Sequence, residues 1–61
     1  MNNLNNITMT NQQLAHEIYN TWQTKNDLKN WKQDERYATN TRANQIAIHN
    51  IINNFIRQDY F

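Results

Sequence analysis

The chain has 61 residues, six basic against five acidic, with a formal net charge of +1 and no cysteine, glycine or proline. One domain with a modest core is all that this length allows. The balanced charge excludes both a polyanion mimic and a protein held on nucleic acid mainly through phosphate contacts.

A single core of this size rarely supplies more than roughly 3–5 kcal/mol, so small natural domains add disulfides, a metal or a partner subunit. The missing cysteines remove the first of these, and His16 and His49 have no cysteine or carboxylate cluster beside them, so no metal or other cofactor is expected. A homo-oligomer remains as the expected source of stability. Without glycine or proline the chain favours few, open connections between helices, and its 13 asparagines take over part of the turn work because Asn tolerates the left-handed conformation. Asparagine excess with Ile outnumbering Leu also suits an AT-rich coding sequence, as in a low-GC bacterium or its phages and plasmids. No apolar run approaches the ~20 residues of a membrane span. The start of the chain has no basic region followed by an apolar stretch, so a cytoplasmic protein is expected.

Residues 1–9 are polar except for Leu4, Ile7 and Met9, which suits a flexible tail or, through the alternation Ile7-Thr8-Met9-Thr10, a short strand. Residues 10–61 are expected to form a single helical domain. Thr10-Asn11-Gln12-Gln13 has the pattern of a capping box. Leu14, Ile18 and Trp22 follow at helical spacing, with Ala15 and Tyr19 widening the stripe, and predict a helix from about Asn11 to Gln23. His16-Glu17 lacks the second histidine that a zinc-protease helix needs at position 20, which is Asn20.

From Thr24 to Gln33 the period blurs, and Thr24, Asn26 and Asp27 can each cap a short second helix. A break there lets Trp31 as well as Trp22 reach the core. The mixed-charge run Lys29 to Arg36 reads as a solvated connector, with Asp34 or Glu35 placed to favour the dipole of a following helix. The strongest period in the chain joins Tyr37, Thr41, Asn44, Ile48, Ile51, Ile52, Phe55 and Ile56. It predicts a last helix that begins between Asp34 and Thr41, capped by Thr39 or Thr41, and runs to about Gln58. With an early start it would span about 37 Å, more than the first helix can cover. Thr41 and Asn44 within that stripe suit buried polar residues that fix register in a helix pair.

The expectation is an all-α protein of two or three helices with a long C-terminal helix, assembled as a helical homo-oligomer. Leu14, Ile18, Trp22, Ile48, Ile51, Ile52 and Phe55 form the core and oligomer face. Ile46 falls on the opposite side of the last helix, among Arg42, His49, Asn53 and Tyr60.

No nucleophile with an adjacent base, no paired carboxylates in an apolar setting and no Gly-rich loop point to an enzyme. Protein binding is the leading expectation: an inhibitor or regulator of a host or competitor protein, of the kind phages encode against host defences. Trp31, Arg36, Tyr37, Arg42, Ile46, His49 and Tyr60 are the partner-binding candidates, by residue type and by the off-face position of Ile46. Two alternatives stand beside it. A strand followed by two helices is the element order of ribbon-helix-helix repressors, in which Asn6, Thr8 and Thr10 would face the DNA groove. Arg36, Tyr37 and Arg42 across paired helices would suit the phosphate and base of a sequestered nucleotide messenger.

Overall fold

In a computed structural model, residues 9–59 are described, and among them the chain is helical with no strand. Helix α1 spans Asn11–Thr24, a 3-10 segment spans Leu28–Gln33, the single-turn α2 spans Glu35–Ala38, and α3 spans Arg42–Asp59.

Each boundary has a local cause. Thr10 Oγ1 accepts from the Gln13 amide at 3.1 Å, and Gln13 Oε1 accepts from the Thr10 amide at 3.2 Å; this capping box satisfies two amide donors at the start of α1. At the other end Asn26 adopts φ 59°. Its amide bonds the Gln23 carbonyl and the Asp27 amide bonds the Trp22 carbonyl, both at 3.0 Å, which is a Schellman closure with asparagine in the place usually held by glycine. The 3-10 segment bends at Asn30 (φ −102°, ψ 17°), where the Asn30 side chain bonds Asp27 at 2.8 Å.

The last helix starts at Arg42, one residue past the expected range of Asp34 to Thr41, because the turn Thr39-Asn40 interrupts the helical path. Thr39 turns its hydroxyl back onto the Glu35 carbonyl at 2.7 Å. Asn40 ties the Arg36 carbonyl to the Thr41 amide through its side chain. Thr41 is then the cap of α3, its hydroxyl accepting from the Asn44 amide at 3.2 Å. With 18 residues the helix is about 27 Å long, which corrects the 37 Å rod.

Helices α1 and α3 run in the same general direction. Asn11 donates to Asn44 across the pair at 3.3 Å, while Tyr19 and Phe55 bring their rings to 5.4 Å. An antiparallel arrangement anchored at Asn11 and Asn44 would separate Tyr19 and Phe55 by about 28 Å along the axes. Two parallel helices need a return connection, and residues 25–41 supply it, with the 3-10 segment and α2 packed between the ends they join.

The core consists of Ala15, Ile18 and Tyr19 from α1, Trp31 from the 3-10 segment, and Ile48 and Ile52 from α3. Leu14, Trp22, Leu28, Tyr37, Ile51, Phe55 and Ile56 pack around it, partly buried. Within the chain the apolar stripe of α3 packs on α1 and on the returning connection, with Ile48 and Ile52 fully buried and Ile51, Phe55 and Ile56 only partly so. The large apolar side chains left exposed among the described residues are Met9 and Ile46. Asn44, half-buried, accepts a hydrogen bond from Asn11 of the same chain, and Thr41 is exposed at its cap position.

Candidate functional site

The run expected to be a solvated connector contains the one buried charged residue among the described residues. Asp34 is 8% exposed and its carboxylate accepts four hydrogen bonds: Trp22 Nε1 at 2.9 Å, the Arg36 amide at 2.8 Å, Arg36 Nε at 2.9 Å and Arg36 Nη2 at 2.6 Å. The amide bond makes Asp34 the cap of α2. Arg36 Nη2 also donates to Thr21 Oγ1 at 3.0 Å, and that hydroxyl donates to the Glu17 carbonyl at 2.8 Å. The Arg36 guanidinium holds the Asp34 carboxyl at about 2, below its ordinary 3.8, with the indole bond assisting and burial opposing. Arg36 is itself raised, chiefly by the same hydrogen bond to Asp34.

This network fastens the connection to the last turn of α1, and it redefines two of the candidate binding residues. Trp31, proposed above for a partner, is 3% exposed and lies in the core. Its ring stands edge-on to Tyr37 at 4.7 Å and tilted against His49 at 5.6 Å. Arg36, also proposed for a partner, has its Nε and Nη2 engaged by Asp34 and Thr21 while its side chain is 39% exposed. Tyr37 is half-buried beneath the same aromatic group, and its carbonyl accepts from Gln45 Nε2 at 2.9 Å.

What remains of the candidate set converges on the outer side of α3. Arg42 is exposed, Ile46 is 55% exposed, and His49 is half-buried with Trp31 beneath it and Asn53 at 3.4 Å from its Nε2. Ala43, Asn50 and Arg57 share this face and are exposed; they escaped the sequence reading, although Arg57 stands at helical spacing from Asn50 and Asn53. Among residues 9–58, whose side chains are described, Arg36 and Asp34 form the ion pair. Tyr60 lies outside the described residues, as do Asn6 and Thr8 of the DNA reading and most of the strand expected there. Thr10, the third residue of that reading, spends its hydroxyl on capping α1. His16 and Glu17 are exposed on α1. The described residues contain no pocket, no group of three or more potential metal ligands, and no helix long and apolar enough to cross a membrane. Comparison with protein-family models, curated proteins and solved structures finds no match to this chain.

Proposed function

We propose that this chain works by binding another protein, as an inhibitor or regulator, through the outer face of α3. The observation that supports this reading is Ile46. It is the one large apolar side chain of α3 on the exposed side, while the other isoleucines of the helix pack inward. Exposed Ile by itself is ordinary; here it is centred between arginine and asparagine on a rigid helix whose opposite face is anchored in the core. Fixed helical placement lowers the ordering cost of binding. The reading needs only one copy of the outer face of α3, and it is compatible with a homo-oligomer built on the partly exposed Leu14, Ile51, Phe55 and Ile56.

The test is capture from a lysate of cells that express the chain, comparing the wild type with Ile46→Asp after nuclease treatment. A protein retained by the wild type and lost with the variant supports the reading, provided both have the same thermal midpoint. Retention that survives the substitution, or that disappears with nuclease, ends it.

A further inference from the structure

The chemistry of the partner can be taken one step beyond that reading, on which this inference rests. The exposed face of α3 carries Arg42 near one end and Arg57 near the other, separated by about 22 Å along the axis, with Ala43, Ile46, Ala47 and Asn50 between or beside them. All are exposed except the half-buried Ala47. From Arg42 to Gln58 the sequence contains no aspartate or glutamate. We propose that this face receives an acidic amphipathic helix: an apolar side chain of the partner meets Ile46 over the low platform made by Ala43 and Ala47, and carboxylates of the partner meet Arg42 and Arg57.

Three features of the face favour this occupant. Ala43 and Ala47 lie together on one flank of Ile46 and permit close approach of a second helix on that side, and a crossing near 20° keeps two helices in register over the several turns that separate the arginines. The charge pattern is one-sided, which favours an acidic partner and resists a basic one. It also disfavours a second copy of this chain. Parallel self-pairing would set Arg42 against Arg42, and antiparallel self-pairing would set Arg42 against Arg57, with no carboxylate on either face to compensate. An extended nucleic acid is less well matched, since the two arginines are far apart, the apolar centre faces outward, and the whole chain carries only +1. One face of a helix is small for a protein interface, which places the contact among weak, transient ones.

The probe is a lactam-bridged helical peptide with leucines at i, i+3, i+4 and i+7 and glutamates on their flanks, titrated calorimetrically into the full chain at low salt. The controls are the same peptide with lysines for glutamates and a DNA duplex. The glutamate peptide should bind saturably and the lysine peptide at least tenfold more weakly. The double variant R42E/R57E should reverse that order, which a merely destabilised variant would not do. Absence of saturable binding to the glutamate peptide overturns the proposal, as does duplex binding that depends on the same arginines, or a sedimenting dimer that dissociates with Ile46→Asp. Equal binding of both peptides, abolished by Ile46→Asp, also overturns it but leaves the face as a protein-binding site, so the two readings fail separately.

Discussion

Trp22 and Asp34 are joined by a hydrogen bond of 2.9 Å from the indole Nε1 to the carboxylate Oδ2, and that bond links the last turn of α1 to the cap of α2. Arg36 completes the arrangement from the other side of the carboxylate. The junction is polar, yet it plays the part that a disulfide or metal plays in many chains this short. It ties the returning connection back to the last turn of α1 just after the 3-10 segment, three residues beyond the point where Trp31 enters the core.

A stability change with pH follows from the lowered carboxyl. A group whose folded pKa is depressed contributes stability that is complete above its unfolded value and is lost as pH falls through its folded value. For Asp34 the window runs from about 4 down to about 2. Because Arg36 is 39% exposed, the contribution is discounted to about 1–2 kcal/mol. Asp34→Asn should lower the thermal midpoint at neutral pH, and the gap to wild type should narrow steadily below pH 4. A gap of constant size down to pH 2 would show that the charge has no part in the stabilisation.

Asn26 is the second place where the fold depends on one residue type. Its positive φ costs a non-glycine residue without a short polar side chain roughly 1–2 kcal/mol. Asn26→Gly should leave stability unchanged or raise it, and Asn26→Val should lower it by at least the steric cost. Urea unfolding followed by tryptophan fluorescence measures both. Equal midpoints for the glycine and valine variants would mean that the turn opens without consequence for α1.

The hydroxyl of Tyr19 is buried without a hydrogen-bond partner among the described residues, in a side chain that packs its ring against Phe55. Leaving a buried polar group unsatisfied costs about 1–3 kcal/mol. Tyr19→Phe keeps the ring and removes the hydroxyl, so the expected result is an unfolding midpoint equal to or above that of the wild type. A clear loss of stability would indicate that the hydroxyl is satisfied in solution, by an ordered water for example.

The sequence made some of these relationships legible and hid others, for reasons that differ by residue. The box Thr10-Gln13 could be read because its two partners are three residues apart and need nothing else. Ile18, Ile48 and Ile52, all fully buried, announced themselves by helical period. The all-helical character with a longer last helix followed from the same signal. The start of α3 was harder, since Thr39 and Thr41 have equal capping chemistry and the choice is made by Asn40, whose side chain bonds backbone on both sides of the turn. Asp34 was hidden among Lys32, Glu35 and Arg36 because its burial depends on Trp22, twelve positions earlier in the chain. The exposure of Ile46 was readable from its off-face position on the helical wheel. Trp31 was read both as a core residue, freed by a break after α1, and as a binding residue by its type; its burial agrees with the first reading and not with the second.

The contrast between Ile46 and Ile48 gives the last prediction, since two residues of the same type, two positions apart, have opposite surroundings. Ile48 is fully buried and Ile46 is 55% exposed. Truncating a buried isoleucine to alanine removes its transfer energy and leaves a cavity, at a cost of about 2–5 kcal/mol. A core of this size supplies roughly 3–5 kcal/mol in all, so Ile48→Ala should leave much of the population unfolded at room temperature. The milder Ile48→Val should remain folded with a loss of about 0.5–1.5 kcal/mol. Ile46→Ala should change stability by less than about 0.5 kcal/mol, as surface substitutions do, while weakening any partner that contacts α3. Circular dichroism melts of the three variants separate these outcomes. A large loss from Ile46→Ala would mean that the outer face of α3 is covered when the chain is folded in solution, and the proposed binding edge would then have to be sought elsewhere.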